Sequence, residues 1–202
     1  AILFLLSGNT AGILSVLYTS IMGLAVPFAP VHLLFINLLT DSLPALAIGM
    51  EPADAELLNE KPRDPKTGIM TKDFVVTMLS EGILIAIAAM SAYHIGIATS
   101  AAMASTMAFA TLTLARLFHG FNCRGRESIF RLGLLSNKYS LYAFGAGVGL
   151  LALVIFVPVL HGVFSIESLS IQAIGQIVVL SFVPTLIIQF VKIIKTDKKQ
   201  KK

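Results

Sequence analysis

Hydrophobic and polar positions in this chain segregate over whole segments rather than alternating within them. Six apolar runs cover residues 1–22, 31–49, 74–96, 100–121, 139–160 and 170–194. Each is close to the ~20 residues a helix needs to cross a bilayer at 1.5 Å rise per residue. Charged residues gather in the segments 50–73 and 122–138 and in a basic tail, 195–202. The pattern predicts an all-α fold, a polytopic membrane bundle of six transmembrane helices. Composition agrees: 56% of the 202 residues are hydrophobic and the mean hydropathy is +0.85, too apolar for a soluble globule of this length. The chain opens at Ala1 inside an apolar run, with no initiator methionine or charged flank, so a piece of a longer protein is expected.

Charge then sets the orientation. Lys61, Arg63, Lys66 and Lys72 lie in the second connection, and Arg124, Arg126, Arg131 and Lys138 in the fourth. Lys192, Lys195, Lys198, Lys199, Lys201 and Lys202 lie at the C-terminus, and the connections 23–30, 97–99 and 161–169 carry no Lys or Arg. Positive residues stay on the cytosolic side, which places both ends and the two long connections in the cytosol. The net charge of +4 is thereby accounted for by topology, with anionic lipid a further partner for the tail and no nucleic acid implied. The loop 50–73 mixes both charge signs with three prolines and reads either as a cytosolic docking loop or as a plain solvated connector.

The second run carries the chemistry. In VHLLFINLLTDSLPALAIG, an amide, a hydroxyl and a carboxylate (Asn37, Thr40, Asp41) precede Pro44 at mid-span. A carboxylate there costs a few kcal/mol and marks a functional site by default. Spacings of three and four put the three side chains on one helical face. Pro44 leaves the carbonyl of Thr40 without its usual donor and bends the helix. An all-oxygen set of this kind suits a hard cation such as calcium.

Other polar residues within the runs have bland readings beside sharp ones. Asn9 is either interhelical glue or a further oxygen donor, and Gly8 and Gly12 at small-xxx-small spacing let another helix approach. The short connection 23–30 makes the first two spans antiparallel neighbours, with Asn9 and Asn37 at comparable depth. Glu81, roughly 10 Å below the cytosolic edge, reaches the interface or a neighbouring helix rather than ligating metal. Arg116 either snorkels to the headgroups, pairs with Glu81, or turns inward. His119 reads as a packed interfacial residue, and His32, His94 and His161 show no ligand spacing, so no zinc site is expected. Cys123, the one cysteine, is a reduced cytosolic thiol. In the last two spans Gly145, Gly147 and Gly149 suggest close packing, and Pro158 and Pro184 bends. No Gly-rich phosphate loop with Lys, Ser/His/Asp set or CxxC occurs in the sequence, so no catalytic or cofactor-binding residue is assigned.

The string LLFINLLTDSLPALAIGMEP, followed by KPRDPKTGIM, closely resembles the sixth membrane helix and following cytosolic loop of P-type calcium ATPases of the sarcoplasmic-reticulum and plasma-membrane kinds. The resemblance extends over nearly the whole chain, which would be helices five to ten, the C-terminal half of the membrane domain. It implies an ATP-driven pump of the cell membrane exporting Ca2+ from the cytosol. Asn37 and Asp41 would be calcium ligands, with Thr40 beside them and Asn9 matching an asparagine of the fifth helix. It also implies Mg2+ and ATP bound by cytosolic domains outside this chain, with the phosphorylation domain docking on loop 50–73.

Two positions depart from the two-site pumps of the reticulum. Gly12 stands where they carry a glutamate, and Arg116 aligns with their eighth-helix glutamate. The expectation is one calcium per ATP, with Arg116 a counter-charge candidate directed at the vacated site and at Asp41. A pump of the same family for manganese or sodium is the first alternative, and a passive cation-binding membrane protein the second.

Overall fold

The apolar runs fold as helices because no backbone polar group can remain unpaired in lipid. The computed structural model describes residues 1–52, 68–125 and 127–200. Helix α1 spans Ile2–Ile21, and the second run divides into α2 (Pro30–Phe35), a π-helical turn (Ile36–Thr40) and α3 (Ser42–Gly49). Then follow α4 (Lys72–Ile97), α5 (Ala101–Asn122), the short α6 (Ile129–Leu132), α7 (Lys138–Phe156), α8 (Pro158–Phe164) and α9 (Ile171–Gln200). Among the described residues six segments are long and apolar enough to cross a membrane.

Helix boundaries follow local chemistry. Thr71 accepts from the Phe74 amide, Ser100 from Met103 and Asn137 from Ser140, each satisfying a donor that a helix start leaves open. Two expected boundaries move. The fifth run stops at Phe156, because Val157 precedes Pro158 and is driven to extended backbone (φ −92°, ψ 109°), so residues up to 160 belong partly to α8. The last helix runs on through Gln200 rather than ending at 194, since neither glycine nor proline follows Pro184 to stop it, and Pro184 itself lies inside α9.

Helix α5 is the centre of the bundle. It packs against α4, α9, α7 and α1, and Ala104, Ala108, Phe109, Ala110, Leu112 and Ala115 on it are fully buried. Small residues let backbones approach where lipid supplies no hydrophobic drive for helix pairing. A close backbone approach joins α4 to α5 at Gly96. A Cβ on Gly96 would stand 2.7 Å from Ala104 Cα, whereas one on Gly149 meets open space. Gly96→Ala is therefore expected to lower the stability of the full-length protein by about 1–3 kcal/mol. Thermal unfolding in detergent checks this, with Gly149→Ala as the neutral comparison.

Some expectations of proximity are corrected. The first span packs chiefly on α4, not on the second span, because Gly82 admits Ser7 and Thr10 of α1: a Cβ there would lie 2.9 Å from the Ser7 carbonyl oxygen. Gly8 receives a side chain, that of Arg116, and Gly12 faces open space. Of the three glycines in α7, Gly147 alone packs closely, against Leu117.

At the end expected to be cytosolic, a polar clamp fixes the mouth of the bundle. Arg124 donates from Nε to Glu51 Oε2 at 2.9 Å and from Nη2 to Glu51 Oε1 at 2.7 Å. Asn137 Nδ2 donates to Glu51 Oε2 at 2.7 Å and to the Ala47 carbonyl at 2.9 Å. Burial pushes the Glu51 carboxyl up, but the hydrogen bonds from Arg124 and Asn137 and the Arg124 charge outweigh it and hold it below the usual range. A lowered folded-state value means the clamp contributes at neutral pH and is lost only as acid titrates Glu51.

Candidate cation site

The second span breaks its α-helical pattern at the residues with candidate chemistry. Over Ile36–Thr40 the turn widens, and the Asp41 amide donates to the Ile36 carbonyl at 2.9 Å, five residues back. Such single π turns recur at functional sites. Pro44 follows in α3, where its missing N–H and bulk disfavour a regular turn. The widened turn separates the residues expected on one face. Thr40 and Asp41 are buried while Asn37 is exposed, and the Thr40 hydroxyl donates to the Ile36 carbonyl at 3.0 Å.

Asp41 faces Arg116. The guanidinium Nη2 pairs with Asp41 Oδ2 and donates to Asn9 Oδ1 at 3.0 Å. Both charged residues are almost wholly buried, at 2% and 3% exposure, so Arg116 does not snorkel. Neither does it pair with Glu81, which lies 3.5 Å from His119 instead. The absence of a side chain at Gly8 makes the seat: a Cβ there would stand 2.7 Å from Arg116 Cζ. Arg116 thus draws together an oxygen from α1 and one from the junction of the π turn with α3. Asp41 Oδ1 and Arg116 Nε remain buried without hydrogen-bond partners. An uncompensated carboxylate oxygen is costly in a dry interior, and a cation is one species that would satisfy it.

A cleft of about 420 Å³ opens beside the pair. Asn9, Gly12, Leu33, Asn37 and Arg116 are among its lining residues. Asn9 and Asn37 therefore look into one space although their helices barely touch, while Asp41 and Thr40 do not line it.

Sequence reasoning did not anticipate a second polar cluster one turn along α5. His119 Nε2 lies 2.8 Å from Ser7 Oγ, 3.3 Å from Cys123 Sγ and 3.5 Å from Glu81 Oε2. The available signal was the four-residue separation of His119 and Cys123, which places both on one helical face. The remaining histidines are held by hydrogen bonds: His32 with the Phe164 carbonyl, His94 with Tyr18 and His161 with the Ile155 carbonyl.

Comparison with known proteins follows the same lines. The family described as "Cation transporting ATPase, C-terminus" matches residues 25–194. "Calcium-transporting ATPase 1" of Bacillus cereus is 32% identical over 216 residues, covering 98% of this chain and 24% of the relative. "Calcium-transporting ATPase 1" of Lactococcus lactis is 38% identical over 169 residues, covering 83% of this chain and 19% of the relative. "Calcium-transporting ATPase type 2C member 1" of Mus musculus is 31% identical over 172 residues, covering 83% and 19% respectively. The chain thus spans a quarter or less of the length of these relatives. Six membrane-spanning helices, an interior carboxylate at a π turn and a match over most of its length place this chain in the cation-transporting ATPase C-terminal family.

Proposed function

We propose that this chain is the ion-binding membrane half of an ATP-driven calcium pump that exports Ca2+ from the cytosol, one ion per ATP. The observation that carries the reading is the buried Arg116–Asp41 pair beside the open cleft. Asp41 supplies the charge for the ion, Asn37, Thr40 and Asn9 supply neutral oxygens, and calcium's usual six to eight ligands are completed by water and by parts of the pump outside this chain. Relatives whose names specify calcium favour that ion over manganese or sodium.

Arg116 is the counter-charge. With the site empty it neutralises Asp41, and with calcium bound it releases the carboxylate while excluding a second ion. At about 4 Å and an effective dielectric of about 20, a guanidinium and a divalent ion repel by about 8 kcal/mol, so calcium binding at Asp41 requires the guanidinium to withdraw from the carboxylate. Mg2+ and ATP would act in cytosolic domains outside this chain. Phosphorylation there would bias the bundle between two arrangements that open the site to opposite sides.

Transport by the full-length protein in sealed vesicles, driven by ATP and run separately with Ca2+, Mn2+ and Na+, tests the reading. ATP-dependent uptake of calcium is expected, and cation flux without ATP would favour the passive protein. The orientation has its own test. Both ends and loop 50–73 are assigned to the cytosol of a cell-membrane protein, the loop receiving the phosphorylation domain, although its residues 53–67 lie outside those described. Lys66→Cys, probed on intact cells with a membrane-impermeant thiol reagent, should stay unlabelled until the cells are opened. Labelling from outside would invert the topology.

A further inference from the structure

The cluster of Glu81, His119 and Cys123 is not used by the transport reading, and its geometry points to a ligand. Among the described residues these are the His, Cys, Asp or Glu side chains that gather as a potential metal-holding group, with ligand atoms all within 4.8 Å of one another. Glu81 comes from α4, His119 from α5 and Cys123 from the residue that caps the end of α5, and Ser7 of α1 closes the fourth side. Close packing at Gly82 brings α1 and α4 near enough for this. The second observation is Glu81 Oε2 itself: it is buried and makes no hydrogen bond, although it lies 3.5 Å from His119 Nε2.

We propose that Glu81, His119 and Cys123 form a metal site distinct from the transport site, taking a divalent ion of the zinc class, with Ser7 Oγ or a water in the fourth position. Tetrahedral zinc bonds of ordinary length put a nitrogen and an oxygen ligand about 3.3 Å apart and a nitrogen and a sulfur ligand about 3.6 Å apart. The corresponding separations from His119 Nε2 are 3.5 and 3.3 Å, so those two pairs need shifts of a few tenths of an ångström, while the carboxylate and the thiol, which lie within 4.8 Å of each other, close on the ion by side-chain rotation. Carboxylate and thiolate together balance the ion's two charges, and the mixture of N, S and O donors selects zinc-class ions over calcium. The positive charge of Lys192 also acts on Glu81, but its Nζ is held by the carbonyls of Asn122 and Gly125. An ion here would tie α4 to α5 at a level one turn from Arg116, leaving the oxygens of Asn9 and Asp41 untouched.

Cadmium reports the site through thiolate-to-metal charge-transfer absorption. The full-length protein, reduced and purified in detergent, is titrated with Cd2+ in saturating Ca2+, and the spectrum of Cys123→Ser is subtracted to remove cysteines outside this chain. One sulfur-ligated ion per chain is expected in the difference, weakened tenfold or more in Glu81→Gln and in His119→Gln and retained in Asn37→Ala, which touches only the proposed calcium site. Wild-type protein gives a reading that needs no variant to fold: Zn2+ should slow alkylation of Cys123, followed by mass spectrometry of its peptide. A null difference spectrum, loss of the signal in Asn37→Ala, or alkylation indifferent to zinc would overturn the site. Each of these outcomes is independent of whether the protein pumps calcium.

Discussion

In the full-length protein, Asp41→Asn is expected to abolish calcium-activated phosphorylation from ATP. Among the described residues Asp41 is the carboxylate paired with Arg116 at the proposed site, and Arg116 is buried at 3% exposure. The substitution removes the charge that a divalent ion needs at low dielectric. It also leaves a guanidinium without its counter-ion, a change that typically costs about 3–5 kcal/mol when a buried pair loses one member. Elution as a single species on size exclusion separates loss of the site from loss of the fold. Asn37→Ala, which removes a neutral oxygen exposed on the cleft, should weaken the half-saturating calcium concentration by less. Phosphoenzyme formation in Asp41→Asn at the wild-type calcium concentration would remove Asp41 from the site.

The second large effect belongs to Arg116→Ala. Under the proposed counter-charge role the guanidinium balances Asp41 when calcium has left, so the empty-state steps would not require a proton there. Without it, the carboxylate needs a proton for neutrality in a dry interior. Turnover and dephosphorylation of the variant should therefore slow as pH rises, by about tenfold for each unit once protonation limits the step, where the wild type holds its rate. Gly8→Val should act in the same direction, since its side chain would occupy the guanidinium's seat. Glu81→Ala should not, because Glu81 lies beside His119. An unchanged pH profile in Arg116→Ala would leave the arginine a packing role alone.

The architecture was legible because membrane helices announce themselves by length and apolarity, and the charge pattern needed no structure to be read. Asp41, Thr40 and Asn37 stood out for a similar reason: polar groups in an apolar run are conspicuous. Their mutual arrangement was less legible, since the i, i+4 rule assumes an α-helix and the π turn at Ile36–Thr40 breaks it. Partner choice was harder still. That Gly8 seats Arg116, that α1 packs on α4 and that Glu81 meets His119 are consequences of how distant helices approach. Local spacing carries little information on such contacts. The Arg124–Glu51–Asn137 clamp joins residues from three separate segments and had no sequence signal for the same reason.

In the proposed pump Arg116 occupies the space of a second ion and leaves one calcium site at Asp41. The direct measurement is the number of calcium ions occluded per phosphorylatable full-length protein, determined with radioactive calcium on the purified pump. One ion in the wild type and none in Asp41→Asn is the expected result. Two ions per phosphoenzyme would contradict it, because a second divalent ion could not share this pocket with the guanidinium of Arg116.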